Sequence, residues 1–498
     1  YDRMLRRFDR DAASPIASKV TGLTLKGVPL YAGVGGESRY AVDPKRLGFQ
    51  PRIGIAYRFS SKWVLRAGYG LSRLGQQAVG QAYGYSQTNS LIATTDGGLT
   101  PAASLSNPFP TNLFPNGLVR PVGNSLGPMT QLGLALAANY SDRDLPYSQQ
   151  YSVGFQREVP GNWLIDASYV GNTTKRLPVS FGLNFLPTSV LESQPVANRP
   201  AYFTEKIANP MAGLLLAGSG INGATVPRAQ LLYAYPQYSS LSIGNVPAGW
   251  QRSDQFQFKA TRRLTKGWSS QVSYTIAKTF ERMSQLNPQY TNLGDLVSSG
   301  LEKRLVEWDV PQNLSVVNTI EIPVGRGKWV GSDMNKWLNG FVGGWNLNWQ
   351  WMRQSGFPVA FPNAAPTSTG SARYTDAQRD ANAQAAGRPQ FDVQYDKWFN
   401  TTLFPRTTPA PYTLINFPSR FPDVRTKHMD ASEISIYKEV PLYERMRLQI
   451  RADCQNCFNH PFFNRVLSVD VTNSRFGQLT PEDQNDVKMI VLVMKLIW

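Results

Sequence analysis

Cysteine and histidine are almost absent from this chain: its 498 residues include two of each. Two cysteines cannot form a disulfide framework. His428 and His460 alone leave almost no room for a histidine triad or a multi-histidine metal centre. Long apolar runs are missing too. No stretch approaches the roughly 18 apolar residues a membrane-spanning helix needs, which excludes a helical membrane protein. Charge is scarce at 17% and unevenly balanced, with 51 Lys and Arg against 34 Asp and Glu giving a net +17. The basic residues fall singly or in pairs, such as Arg6-Arg7 and Arg262-Arg263. They never form the dense run or aromatic-studded groove that follows a phosphate backbone, so no nucleic-acid partner is expected. A basic excess spread this way suits turns and a hydrated interior. Tyr1 opens no charged-then-apolar leader, so any signal peptide is expected upstream or already removed.

What the chain has in quantity is aromatic residues, 12% with 12 Trp and 22 Tyr, beside 41 Gly and 35 Pro. That mixture suits strands, turns and long loops. From Arg52 to Phe59, Ile53, Ile55, Tyr57 and Phe59 share one face, and Arg52, Gly54, Ala56 and Arg58 share the other. After Ser60-Ser61-Lys62, Trp63, Leu65, Ala67, Tyr69 and Leu71 alternate with Val64, Arg66, Gly68, Gly70 and Ser72, which completes a hairpin. The same unit returns around Pro160-Gly161-Asn162 and again around Thr265-Lys266-Gly267, an internal repeat of architecture. Further strands are expected over Leu314 to Ile322, Trp345 to Arg353, Asp430 to Val440, Met446 to Phe458 and Val487 to Trp498, about 11 in all.

A soluble β-sandwich also alternates, and three features separate it from a barrel that faces lipid. Trp63, Trp163 and Trp268 each follow a short turn, the depth of an interfacial aromatic girdle. Short turns alternate with long connections at 73–147, 173–252 and 354–429, which compact soluble domains rarely tolerate. Outer-membrane barrels have short periplasmic turns on one rim and long extracellular loops on the other. By that rule the first strand runs inward and the last ends on the periplasmic rim, where a barrel C-terminus belongs. The expected fold is therefore an all-β transmembrane antiparallel barrel. An inward first strand implies an odd number of strands before it, so N-terminal sequence is expected to be missing. Residues 1–47 read as the end of an upstream extracellular loop, with Leu23 to Leu30 available as a short strand. Residues 48–498 read as the C-terminal part of the barrel.

With the strands placed, the sequence resembles the TonB-dependent receptors, specifically the Oar-like group. The resemblance is carried by Phe49-Gln50-Pro51-Arg52-Ile53-Gly54-Ile55-Ala56-Tyr57, Gln149 to Glu158, Ala167-Ser168-Tyr169-Val170-Gly171 and Asp254 to Lys278. It continues through Ile322-Pro323-Val324-Gly325-Arg326-Gly327-Lys328, Gly343-Gly344-Trp345, Gln354-Ser355-Gly356, Phe458-Asn459-His460-Pro461 and Phe476-Gly477. Each is weak alone; their order is fairly specific. The resemblance implies a plug followed by a barrel of 22 strands, of which this chain would hold the second half, without plug or TonB box. It also implies a bacterial outer-membrane location and energy coupling through the TonB–ExbB–ExbD complex. Outer-membrane lipid and lipopolysaccharide would surround such a protein. The leading functional expectation is a transporter that captures a bulky substrate at its extracellular loops and imports it. The alternative is a surface-interaction, adhesion or secretion-related barrel.

Other motifs carry less. Cys454-Gln455-Asn456-Cys457 has the spacing of a redox or metal pair, extended by His460, yet residues three apart on a strand point to opposite faces. A disulfide there needs a break in the strand, so a pair of small side chains is expected. Gly218-Ser219-Gly220-Ile221-Asn222-Gly223 matches a phosphate-loop pattern without the strand-to-helix context, and Gly325 to Lys328 reads as a basic turn. Glu482, Asp483 and Asp486 read as a solvated loop rather than a calcium site. Thr375 to Ala386 reads as a surface helix stopped by Gly387 and placed to cover the barrel mouth. No catalytic, cofactor-binding or metal-ligating set is assigned and no enzyme is expected, because no acid, base and nucleophile converge. Substrate-binding residues cannot be named, since such a site would combine loops with a plug. Val487 to Trp498 is apolar on both faces. Its terminal aromatic resembles the signal read by the barrel-assembly machinery, so losing Trp498 is expected to impair assembly more than recognition.

Overall fold

The computed structural model describes residues 3–43, 48–75, 82–142, 144–361, 370–463, 465–481 and 487–498. Eleven strands form the continuous path of a 13-stranded sheet in simple chain order, each hydrogen-bonded antiparallel to the next, and the short strands Ala135–Asn139 and Arg304–Leu305 pair off that path. The eleven are β1 (Arg52–Ser60), β2 (Trp63–Arg73), β3 (Tyr147–Val159), β4 (Trp163–Gly182), β5 (Ser240–Thr265) and β6 (Trp268–Arg282). The series continues with β7 (Gln312–Glu321), β8 (Trp345–Gln354), β9 (Met429–Tyr443), β10 (Met446–Gln455) and β11 (Met489–Ile497). The sheet is open, with β1 and β11 at its two edges.

Directly opposed residues of antiparallel strands point to the same face, so the register shows how the alternation spreads across the sheet. Ile55 opposes Ala67, Ala67 opposes Val153, Val153 opposes Tyr169, Tyr169 opposes Phe256, and Phe256 opposes Ile276. Further along, Leu347 opposes Ile320 and Ile436, Ile436 opposes Ala452, and Ala452 opposes Leu492. One apolar face thus crosses all eleven strands. A sandwich would bury it under a second sheet, but here Ile53, Ile55, Tyr57, Phe256 and Leu492 stay between 47% and 79% exposed. Each such side chain gives up about 1.5–3 kcal/mol if it is left in water. A face this large and bare requires a hydrocarbon surround.

Three polar groups on that face are matched to its tryptophans. The indole N–H of Trp351 donates to Asp430 Oδ1 at 2.8 Å, that of Trp349 to Ser432 Oγ at 3.2 Å, and that of Trp268 to Asn318 Oδ1 at 3.3 Å. Unpaired polar atoms in lipid are costly, and these bonds remove that cost. At the short-turn rim, Trp163 meets Trp268 edge to face at 5.9 Å. The Arg157 guanidinium lies 4.7 Å from the Trp63 ring and that of Arg262 lies 4.2 Å from Trp268. The expected girdle is present and carries its own cations. Lys266 and Gly267 both have positive φ, the backbone a tight hairpin turn requires.

One expectation changes. The connection expected at 173–252 is in fact 183–239, because β4 runs for 20 residues and β5 for 26. Pro178 and Pro247 interrupt the alternation, and register shifts between Ile243 and Trp250 absorb them, so the strands continue past the apolar face. Within the stretch expected as a loop end, residues 3–43 carry folded structure. Leu5–Ala13 pairs with Lys26–Tyr31 as a hairpin. Its Leu5, Phe8 and Tyr31 pack with Leu136, Phe181, Tyr238 and Ile243 in one buried cluster. This is a folded cap at the long-connection end of the sheet. A second cap packs Phe361, Phe399, Phe404 and Phe476 edge to face at 5.2–5.6 Å, with Val424 beside them.

Candidate functional site

The face opposite the apolar one is polar over β1 to β10, while β11 stays apolar there with Met489, Val491 and Val493, and a membrane barrel turns that face inward. Gln257 donates to Gln255 at 3.0 Å and Gln255 to Ser253 at 3.3 Å, and the Ser253 and Thr279 hydroxyls lie 2.9 Å apart. On β10, Arg451 pairs with Asp453 at 2.8 Å, and Gln449 donates to Glu439 of β9 at 3.1 Å. A groove of about 360 Å³ crosses β7 to β10, lined on this side by Thr319, Asn348, Gln350, Glu433 and Asp453. A second, of about 510 Å³, is lined by Arg52, Ser72, Gln150 and Ser152. Neutral amides and hydroxyls with scattered charge make a wettable wall that can exchange hydrogen bonds with a passing polar solute.

At the long-connection end a buried ionic clamp fixes the second cap to the sheet. Asp309, 2% exposed, accepts from Arg425 Nη2 at 2.6 Å and from the Thr279 backbone N–H at 2.7 Å. Glu281 of β6 accepts from Arg304 Nε at 2.8 Å and from Arg420 Nη1 at 2.7 Å. Glu302 accepts from the Ser419 backbone N–H at 2.7 Å and its hydroxyl at 2.8 Å. Connection 283–311 is thereby locked to connection 355–428.

Within that cap a cleft of about 330 Å³ is lined by Arg373, Asp376, Arg379, Trp398, Arg425 and His428. Arg379 stacks over Trp398 at 3.9 Å and pairs with Asp376. The cleft shares Ser355 and His428 with a larger one of about 600 Å³, which opens beside Tyr274, Leu314 and Arg353 on the apolar face. Burial, together with the positive charge of Arg353 and Lys427, pushes the His428 imidazole below its ordinary range, so it stays neutral at pH 7. The cap helix α2 (Asp376–Ala385) follows another short helix, α1 (Lys336–Val342), in the chain. Thr375 caps α2 in a reciprocal box with Gln378, and the expected glycine stop follows with Gly387 at φ 81°. These arginines and His428 escaped sequence reasoning because they are far apart in the chain, with no motif spacing to join them.

The cysteine expectation is corrected: Cys454 and Cys457 form a disulfide. Cys454 lies on the apolar face as its strand position requires, opposite Ile434. β10 then ends at Gln455, Asn456 takes φ 42°, and Cys457 N–H donates to Ser432 O at 2.8 Å. That break brings the second sulfur to the side of the first. His460 Nδ1 lies 3.5 Å from Asp430 instead of joining the cysteines.

Gly218 to Gly223 is a packed loop, in which Ser219 Oγ donates to Gly133 O at 2.8 Å and Ile221 is buried. Gly325 to Lys328 is a turn whose Lys328 pairs with Glu321 at 2.6 Å. Glu482, Asp483 and Asp486 lie outside the described residues. Among the described residues no group of three or more His, Cys, Asp or Glu is placed to hold a metal ion.

Search of curated proteins finds no match. Among solved structures, the chain is similar to the outer membrane transporter YddB from Escherichia coli, at 11% identity and TM-score 0.35, over 88% of this chain and 38% of that one. It is also similar to the siderophore receptor PiuA from Acinetobacter baumannii, at 8% identity and TM-score 0.36, over 90% and 35% of the two chains. The ferripyoverdine receptor of Pseudomonas aeruginosa gives 8% identity and TM-score 0.35, over 89% and 32%. The chain therefore spans little more than a third of the length of the structures it matches. The family model for an outer membrane beta barrel domain matches residues 1–489. With an unbroken apolar face on eleven consecutive antiparallel strands, this match shows that the chain belongs to the outer membrane beta barrel domain family and resides in the bacterial outer membrane.

Proposed function

We propose that the chain is the C-terminal strand-rich part of a TonB-dependent receptor that captures a bulky substrate at extracellular loops and imports it. The observation that carries this reading is a polar wall that ends, at the long-connection rim, in two folded caps, the second of which holds a cleft. Caps at one end suit capture, and a wettable wall suits passage. The two open sheet edges support membership of a larger closed barrel, since free edges in lipid leave backbone groups unpaired. The order of motifs from Phe49 to Gly477 supports the receptor family and, with it, a plug and coupling to TonB–ExbB–ExbD. Residues 3–43 and the caps would then face outward, within reach of lipopolysaccharide. Trp498, 86% exposed at the end of β11, would present the assembly signal.

A second reading, a surface-interaction or secretion-related barrel, is favoured by one observation. The caps hold apolar cores large enough to act as binding domains. Uptake of labelled oligosaccharide, peptide and siderophore pools, compared in cells with and without TonB, separates the two. TonB-dependent import of one class supports transport. Import of none, with surface attachment lost on gene deletion, supports the second.

A further inference from the structure

Most connections at the short-turn rim are minimal, but the one between β7 and β8, residues 322–344, is a folded hook. Val324 pairs with Val330, Gly325 N–H donates to Val330 O at 2.9 Å, and Gly327 N–H donates to Ser332 O at 3.0 Å. α1 follows, capped by Asn335, whose Oδ1 accepts from Leu338 N–H at 2.8 Å. Asn339 then binds α1 back to the turn, accepting from Arg326 N–H at 2.7 Å. A fold this well bonded nevertheless leaves Trp329 89%, Trp337 84% and Phe341 76% exposed. Three bare aromatics on an ordered hook need an apolar neighbour.

Two contacts say which neighbour. Lys438 donates its ammonium to Gly340 O, and Trp345 Nε1 donates to Phe341 O at 2.8 Å. Lys438 and Trp345 oppose each other in the register, on the face that carries Leu347, Trp349 and Ile436. α1 is therefore tied to the lipid-facing side of the wall. On its two turns Trp337, Leu338, Phe341 and Val342 form one stripe, with Asn339 turned to the protein. The exposed Arg326 and Lys336 flank that stripe, as cations flank helices that lie in a lipid headgroup layer.

We propose that the 322–344 hook is a monotopic anchor that lays Trp329, Trp337 and Phe341 into the phospholipid leaflet at the short-turn rim, continuing the barrel's apolar face sideways. It requires the membrane placement but not transport. Its function is to fix the depth and tilt of the sheet, as interfacial aromatics and cations do for other spanning elements.

The test uses the intact protein in nanodiscs of phosphatidylethanolamine and phosphatidylglycerol, with a fluorophore on the introduced thiol of Phe341→Cys or, separately, Asp333→Cys. Trp337→Cys serves as a second reporter if Phe341→Cys fails to show the heat-modifiable migration of a folded barrel. The anchor predicts a blue-shifted label at 341 that is quenched several-fold more than the label at 333 by nitroxides at shallow acyl positions. It also predicts several-fold protection of 341 from aqueous iodide. Equal iodide quenching at both positions with no effect of lipid nitroxides overturns the proposal. So does protection of 341 that appears only when periplasmic extract is added, which assigns the stripe to a soluble protein.

Discussion

Replacing Asp309 with alanine removes the centre of the clamp that holds the second cap. Its carboxylate is 2% exposed, meets Arg425 Nη2 at 2.6 Å and accepts the Thr279 N–H at 2.7 Å. The substitution leaves a partly buried guanidinium without its counter-charge and a backbone donor without an acceptor. Breaking a buried pair costs about 3–5 kcal/mol. Arg425 keeps its bonds to Asp309 O at 2.8 Å and Gly356 O at 3.1 Å, which places the cost near the lower end of that range. At 1.4 kcal/mol per factor of ten, about 3 kcal/mol raises the opening of connection 355–428 roughly a hundredfold. Hydrogen exchange followed by mass spectrometry reads this in peptides covering 415–428, with β8 peptides as an internal control. Asp309→Asn keeps an acceptor for Thr279 and should show a smaller rise. Unchanged protection of 415–428 in Asp309→Ala would refute the clamp, because no other buried carboxylate faces Arg425 among the described residues.

Three further outcomes follow from single features. The folded-state pKa of His428 lies below its unfolded value of about 6.5, so the unfolded chain binds more protons between the two. Cap stability should be complete above about pH 6.5 and fall as pH drops through the depressed value, a slope that His428→Gln should abolish in pH-dependent exchange. Thr375→Ala removes the reciprocal cap of α2 and should cost about 1 kcal/mol, read as lost protection over 376–385 with the strands unchanged. Cys454 and Cys457 should resist maleimide until a reductant is added; free thiols titrating beforehand would contradict the disulfide.

The strands were legible because their signal is local. Alternation at Trp345 to Arg353 depends only on which neighbours meet lipid, and β8 spans Trp345–Gln354. The short turns and the glycine stop after α2 were legible for the same reason. The caps were not. Val179 and Phe181 alternate like a membrane strand but bury against Ile243 and Leu136, and no periodicity separates lipid from a protein core. The hairpin of Leu5–Ala13 depends on partners more than a hundred residues away in the chain. The disulfide was hidden because strand geometry was carried past Gln455 to Phe458. Asn456 adopts φ 42° and ends the alternation that would have parted the sulfurs. The cleft around Arg373, Arg379 and His428 is assembled from the cap's own folding, and isolated arginines give no spacing to read.

One face of this sheet meets hydrocarbon and the other meets water across the outer membrane. Nitroxide scanning of β8, one residue at a time from Trp345 to Arg353, tests it most directly in the membrane-embedded protein. A sheet with one face in lipid gives a period of two: high accessibility to oxygen at 347, 349 and 351, and high accessibility to a water-soluble nickel chelate at 346, 348 and 350. Accessibility without that period, or with the two sets exchanged, would contradict it.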